Sequence, residues 1–377
     1  MSSNMAATRI NAAQNYLEPI RRTPQVIPIQ HLIKPRAGEW VEVASREEIV
    51  RTLDSRGQLD GVPFMPEMFQ YCGQRFQIFR RAHKTCDTIY KTGGRRMDDT
   101  VHLEGTRCDG SAHGGCDAAC AIFWKTAWLK SVDGPSGPKR QPTSSGLPPI
   151  SGVTPKVVFI GTVSEDTDED DPTYVCQATQ LFKATKPLKW WDIRQYVEDL
   201  SSRNESLATV LTGGAYVAAF NWFRIARRLG AGETWIHLYD RVQKLRKGVP
   251  FPRKHESVPP GARTPSSYLK LQPGETVRIK PYDQILETLD GSNKNRGLYF
   301  DAEKVPYCDK TFRVRSRVNR IIDESTGKVI PVAPNTVILD GVYCKGHYSD
   351  RRMFCPRSIY SFWRETWLER VHADSPH

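Results

Sequence analysis

The sequence has no apolar run as long as the roughly 18 residues that a membrane-spanning helix requires. Its first residues, MSSNMAATRINAAQNYLEP, lack the basic start and the apolar core of a secretory signal. We therefore expect a cytoplasmic protein that does not associate with membranes. A Walker A motif, a GxGxxG after a strand, a GxSxG and an HExxH are also absent, so the common signatures of nucleotide binding, serine hydrolysis and zinc proteolysis are missing.

Cysteine is plentiful for a protein expected in a reducing compartment, since the 377 residues include nine. Structural disulfides are rare in such a compartment, so clustered thiols indicate metal ligands or catalytic groups. The formal net charge of +12 predicts an anionic partner: a phosphorylated small molecule, a nucleic acid or an acidic protein. The basic residues are dispersed along the chain, so a well-solvated basic surface is the alternative interpretation.

An internal repeat is the strongest pattern in the sequence. The segment that begins at Gly38 matches the segment that begins at Gly274, an offset of 274 − 38 = 236 residues. After a three-residue insertion in the second copy, the match continues with Cys116 against Cys355. Matching pairs at the first offset include Thr52-Leu53-Asp54 with Thr288-Leu289-Asp290, Glu67 with Glu303, Tyr71-Cys72 with Tyr307-Cys308, and Cys108 with Cys344.

The repeat defines the predicted organisation of the chain. Two Cys-rich modules, residues 36–132 (the first module) and 272–377 (the second module), flank a mainly helical middle domain, 156–247. An N-terminal extension covers 1–35, a Pro/Gly/Ser linker covers 133–155, and a basic Pro-rich linker covers 248–271.

The fold class predicted for this order is α+β. Apolar and polar residues alternate, as in half-buried strands, in WVEVAS and RFQIFRRA of the first module and in the matching TVRIKP and TFRVRSRV of the second. AIFWKTAWLKSV and IYSFWRETWLERV space their aromatic residues as a helix does, which predicts that Trp124 and Trp128, and Trp363 and Trp367, pack in the module core from one face of a helix. Each module is therefore predicted to be a small β-rich unit, such as an SH3-like barrel, with a terminal helix. In the middle domain, KVVFIGTV is a strand candidate and the segments after it have helical patterns.

The repeat also separates the shared cysteines from the others. Soft thiolate ligation is expected from Cys72, Cys108 and Cys116 in the first module, and from Cys308, Cys344 and Cys355 in the second. The first module adds Cys120, Cys86, His83 and His113, and its fourth ligand is either Cys120 or Cys86. The second module lacks these counterparts, and His347 or Cys176 is available to it.

Zinc is the metal expected in such small loop-rich modules, and an iron–sulfur cluster is the alternative because it uses the same thiolates. We therefore predict a cytoplasmic metal-binding protein with a basic surface for an anionic partner. One alternative is a metalloenzyme that uses an open Cys-ligated metal site in the second module. The other is a nucleic-acid-binding protein whose basic loops contact phosphates.

Overall fold

The computed structural model describes residues 34–135, 156–246, 248–251, 257–349 and 351–371. The predicted N-terminal extension up to residue 33 and the linker residues 136–155 lie outside this part of the chain, as do 252–256 and 372–377. The described residues combine helices with several small sheets, including a half-barrel.

The strands are β1 (Trp40–Val43), β2 (Gln58–Leu59), β3 (Val62–Pro63), β4 (Arg75–Arg81), β5 (Lys84–Cys86), β6 (Gly94–Arg96), β7 (Thr100–Leu103), β8 (Trp124–Lys125), β9 (Leu129–Ser131), β10 (Lys186–Leu188), β11 (Thr276–Ile279), β12 (Lys294–Asn295), β13 (Leu298–Tyr299), β14 (Thr311–Arg317), β15 (Arg320–Ile322), β16 (Val329–Pro331), β17 (Thr336–Tyr343), β18 (Tyr360–Arg364) and β19 (Leu368–Arg370). The helices are α1 (Arg46–Val50), α2 (Lys156–Ile160), α3 (Gln177–Gln180), α4 (Arg194–Ser201), α5 (Leu207–Arg228), α6 (Gly232–Arg246) and α7 (Tyr282–Leu286). Short 3₁₀ helices cover Pro66–Tyr71, Thr126–Trp128, Val305–Tyr307 and Glu365–Trp367.

Each module contains one five-stranded antiparallel sheet, and corresponding strands occupy the same places in both. The strand order is β8-β7-β4-β1-β9 in the first module and β18-β17-β14-β11-β19 in the second. In both sheets the last two strands lie at opposite edges, although only a three-residue 3₁₀ helix separates them in sequence. Such a short connection requires the sheet to curve until its two edges approach each other.

The predicted terminal helices are not present in the described residues. AIFWKTAWLKSV instead forms β8, the 3₁₀ helix Thr126–Trp128 and β9. Trp124 and Trp128 are both fully buried, and the Phe64 ring contacts their rings edge-on at centroid distances of 6.3 and 5.2 Å. A turn between two short strands points both indoles into the same core, so their four-residue spacing resembles that of a helix.

The middle region divides between two cores. KVVFI, predicted to start a strand, forms the helix α2, and Val158, Cys176 and Leu181 belong to the core of the first module. The Gln177 side chain links this segment to the module, because it donates to the Phe123 carbonyl and accepts from the Phe123 N–H at 2.9 and 2.8 Å. Helices α5 and α6 instead contribute to a separate core that includes Phe354.

The two modules contact each other through corresponding positions. Cys116 Sγ of the first module accepts a hydrogen bond from the Ile322 N–H of the second at 3.4 Å. In the reciprocal contact, Cys86 of the first module lies within hydrogen-bonding reach of Cys355 of the second. Because 86 matches 322 and 116 matches 355 in the sequence repeat, the two contacts join matching positions.

Within the described ranges, the search for a helix with the length and apolarity needed to cross a bilayer finds none.

Candidate metal site

The candidate site of the first module depends on the Cys-rich loop between β7 and β8. Within this loop the Cys108 N–H donates to the Cys120 carbonyl at 2.9 Å, and the N–H groups of His113 and Gly115 donate to the Gly110 carbonyl at 3.1 and 3.0 Å. Gly110 has φ +73°, and a Cβ at this position would lie 2.2 Å from the Cys116 carbonyl oxygen. Only glycine permits this fold of the loop, which returns the chain toward Cys108.

Glu67, Cys108 and His113 meet beneath this loop. Cys108 Sγ lies 3.2 Å from His113 Nε2, and His113 Nδ1 lies 3.9 Å from Glu67 Oε1. One possible ligand atom from each residue can be chosen so that all three lie within 4.8 Å of one another. In the part of the chain that the structure describes, this is the one group of three or more potential metal ligands that meets that distance.

Without a bound cation, the surroundings of these three side chains favour their uncharged forms. Burial, with the nearby Asp109 carboxylate acting in the same direction, raises the pKa of Glu67 to about 7. Burial lowers the pKa of His113 to about 4. Burial also raises the pKa of the Cys108 thiol well above its ordinary value, and the Glu67 carboxylate acts in the same direction. A bound cation would reverse these effects, because it stabilises the thiolate and the carboxylate.

Three polar atoms at the site have no hydrogen-bond partner among the described residues. They are both carboxylate oxygens of Glu67 and Nδ1 of His113. Glu67 is 3% exposed and His113 is 1% exposed, so bulk water does not reach them. Buried polar atoms are normally paired. Unpaired oxygen and nitrogen atoms next to a thiol fit a metal ion of zinc type.

The other thiols predicted to ligate in the first module are not part of this group. Cys72 follows the 3₁₀ helix Pro66–Tyr71 and packs against the core, and burial raises its pKa to about 11. Cys116 Sγ accepts the interface hydrogen bond from Ile322. Burial raises the pKa of Cys120 to about 12. Cys176, which was available to the second module, is also outside this group, and burial raises its pKa to about 11.

The candidate ligands of the second module have different partners. Glu303 Oε1 accepts the Tyr348 N–H at 2.5 Å, so this carboxylate has a backbone partner that Glu67 lacks. His347 Nε2 lies 3.5 Å from Glu205 Oε2. Burial raises the pKa values of the Cys308 and Cys344 thiols. The structure therefore does not bring Cys308, Cys344, Cys355 and His347 together as it does the first-module group.

Cys86 and Cys355, predicted as ligands of separate modules, contact each other instead. Their hydrogen bond lowers the pKa of Cys86, and the Arg357 and Arg352 guanidinium groups act in the same direction. The same hydrogen bond raises the pKa of Cys355, together with burial. Arg357 also binds Glu324 of its own module at 2.7 Å and Thr88 of the first module at 3.0 Å. The thiol pair therefore belongs to the interface between the modules.

Glu67 is the ligand candidate that cysteine spacing could not identify. It lies in the apolar segment VPFMPEMF, and it matches Glu303 at the repeat offset. A carboxylate that recurs at the same place of the repeat, and that lies in an apolar segment in the first module, was therefore a usable signal. His113 was visible in the sequence but outside the set of repeated cysteines.

Searches of protein-family models, of curated proteins and of solved structures found no match to this chain.

Proposed function

We propose that the chain is a metal-binding protein in which Glu67, Cys108 and His113 of the first module hold a zinc ion. The observation that carries the proposal is the set of buried, unpaired oxygen and nitrogen atoms of Glu67 and His113, which lie beside the Cys108 thiol. Zinc accepts thiolate, imidazole and carboxylate ligands together. An iron–sulfur cluster is held mainly by thiolates, and this group contains one cysteine, so zinc is the better choice.

The proposal includes the architecture predicted from the repeat. We propose two copies of one SH3-like module arranged about an approximate two-fold axis, of which the first holds the metal. It is supported by the equal strand orders and by the reciprocal contacts of positions 86 with 355 and 116 with 322. The proposed location is the cytoplasm, where a reducing environment keeps such thiols available.

Metal content per chain tests the site, with the second module as a built-in control. The wild-type protein, purified with zinc in the medium and then desalted, is expected to retain about one zinc per chain by mass spectrometry of the metal. Cys108→Ser, His113→Ala and Glu67→Gln should each reduce the retained zinc. Cys344→Ser and Glu303→Gln change the corresponding positions of the second module and should leave it unchanged.

Cobalt provides an independent measurement of the same site. A Co²⁺-loaded protein with a thiolate ligand should show a sulfur-to-cobalt charge-transfer band that is absent in Cys108→Ser and present in Cys344→Ser. Equal zinc content and equal cobalt spectra in Cys108→Ser and the wild-type protein would refute the assignment. Loss of metal only in a Cys116→Ser and Cys120→Ser double variant would move the site to the other thiols of the loop.

A metalloenzyme is the second candidate, and one observation favours it. Three protein ligands leave a fourth position of a tetrahedral zinc open, which is typical of catalytic rather than structural zinc. The geometry favours the first module for this role, whereas the sequence interpretation had favoured the second. Cyanide added to the cobalt protein should change its visible spectrum if the fourth position is open, and should leave it unchanged if a further protein ligand closes it.

We also propose an anionic partner for the basic surface, because the chain carries a formal net charge of +12. Binding to such a partner should weaken as the salt concentration rises. If the partner is a nucleic acid, the affinity should fall steeply with salt concentration, and more steeply as more phosphates are contacted. A phosphorylated small molecule predicts a shallow dependence and a cavity of matching size.

A further inference from the structure

A cavity of about 360 Å³ lies where three parts of the chain meet. The first module contributes Thr92 and Gly94, the middle region contributes residues 187–191 with two residues of α5, and the second module contributes Arg351. Small-molecule sites commonly measure about 300–1,000 Å³, so this volume suits a ligand at the small end of that range. The cavity does not include Glu67, Cys108 or His113.

Two tryptophans form the aromatic part of the cavity wall. Trp190 is 37% exposed and Trp191 is 60% exposed, and their rings meet edge-on with centroids 5.7 Å apart. The Trp190 carbonyl accepts the Tyr196 hydroxyl at 2.6 Å, which fixes the backbone of this turn. Exposed indoles on an anchored turn present flat faces on which a planar ring can stack.

The charged part of the wall is entirely cationic. Lys189, Arg224 and Arg351 line the cavity, and its lining includes no aspartate or glutamate. Lys189 Nζ lies 5.5 Å from the centre of the Trp191 ring, so one cation is already next to the stacking surface. Guanidinium and ammonium groups bind phosphate oxygens through charge-assisted hydrogen bonds.

Gly93 permits the close approach of the second module at one wall, and Gly94 leaves ordinary contact distance on the same wall. Gly93 has φ +120°, and a Cβ there would lie 3.2 Å from the Arg351 carbonyl oxygen. A Cβ at Gly94 would lie 3.6 Å from the Leu188 carbonyl oxygen. The corresponding residues of the second module are Val329 and Ile330, so the small side chains occur only on the side of the repeat that carries the cavity.

We propose that this cavity binds a phosphorylated small molecule that contains a planar ring, with a nucleoside monophosphate as its simplest representative. The ring stacks on Trp191, and the phosphate binds Arg351, Lys189 and Arg224. The inference rests on the anionic-partner part of the proposed function and names its ligand class, and it is independent of the metal site.

Calorimetric titration of the full chain with adenosine 5′-monophosphate tests the proposal, with adenosine and inorganic phosphate as separate probes. Adenosine 5′-monophosphate should bind at least tenfold more tightly than either fragment, because only it uses both parts of the wall. Trp191→Ala and Arg351→Ala should each weaken binding about tenfold or more. Trp222→Ala and Arg228→Ala are matched controls, since these residues of α5 do not line the cavity, and should change the affinity less than twofold.

Each other outcome overturns all or part of the proposal. Absence of binding at millimolar adenosine 5′-monophosphate, or equal weakening by the control variants, overturns the site. Inorganic phosphate that binds as tightly as the nucleotide overturns the stacking role, and adenosine that does so overturns the phosphate role. Zinc measured in the same samples separates the two proposals, because loss of nucleotide binding with zinc retained contradicts only the cavity, and the reverse contradicts only the metal site.

Discussion

Gly110 offers a direct test of the loop that brings Cys108 and His113 together. Its φ of +73° is unfavourable for any other residue, and an alanine Cβ would lie 2.2 Å from the Cys116 carbonyl oxygen. Gly105, five residues earlier, has almost the same φ, +74°, but its Cβ would have nothing within 4 Å. The two glycines therefore share the backbone requirement and differ only in the space available.

The expected magnitudes follow from that comparison. Left-handed backbone costs an alanine about 1–2 kcal/mol, so Gly105→Ala should lower the free energy of unfolding by about that amount. Gly110→Ala adds the overpacking against Cys116, which costs about 1–3 kcal/mol more. Because its loop carries two of the proposed ligands, Gly110→Ala should also reduce the zinc retained per chain, whereas Gly105→Ala should not.

The second module supplies the same experiment without the metal. Gly346 corresponds to Gly110, and its Cβ would lie 2.7 Å from the Cys355 nitrogen, while Gly341 corresponds to Gly105 and has nothing within 4 Å. Urea unfolding followed by tryptophan fluorescence should therefore give a lower free energy of unfolding for Gly346→Ala than for Gly341→Ala. The zinc content should be unchanged in both variants. Equal destabilisation by Gly110→Ala and Gly105→Ala would refute the close approach of the loop. Normal zinc in a folded Gly110→Ala protein would show that the loop does not position the ligands.

Two further predictions concern pH and helix packing. Burial lowers the pKa of His102 to about 3 while its Nδ1 binds the Ile122 carbonyl at 2.8 Å, so the unfolded chain takes up the proton first as the pH falls below about 6.5. This side chain should therefore lower the free energy of unfolding by about 3 kcal/mol by about pH 4.5. In urea unfolding at a series of pH values, His102→Ile, which carries the residue found at the matching place of the second sheet, should lose less stability toward acid than the wild-type protein. An equal loss of stability in both proteins would contradict the burial of a neutral imidazole. In α5, Gly214→Ala should raise the thermal midpoint, because alanine gains up to about 1 kcal/mol of helix propensity and its Cβ would have nothing within 4 Å. Gly213→Ala should lower the midpoint, because a Cβ there would lie 2.5 Å from Phe354 Cζ. Equal midpoints for the two alanine variants would argue against the packing of this helix on Phe354.

The comparison of sequence and structure is most instructive at the aromatic segments of the two modules. Trp124 with Trp128, and Trp363 with Trp367, were predicted to be buried on one face of a helix. All four are fully buried, but two strands and a 3₁₀ turn place them there. Burial depends on which side chains are apolar, whereas the element type depends on strand partners that are distant in sequence. Local spacing therefore predicted the core and missed the element.

The candidate site shows the same division. Cys108 was selected from the repeat, and the structure places it in the group, but its partners Glu67 and His113 come from a 3₁₀ helix and a loop turn that no cysteine spacing describes. Cys86 was assigned to the first module alone. It lies beside Cys355 because the modules pack against each other, and nothing in either copy by itself specifies that interface.

The sequence by itself determined which residues match at the repeat offset, the half-buried strands β1, β4, β11 and β14, and the concentration of thiols and histidines in the first module. These properties are local, because they depend on side-chain chemistry and on short-range spacing. The tertiary structure alone decided that Glu67 and His113 meet Cys108, that the second-module carboxylate is paired, and that two tryptophans and three cations enclose one cavity. These properties depend on contacts between segments that are far apart in the chain, and only the packed core brings such segments to hydrogen-bonding distance.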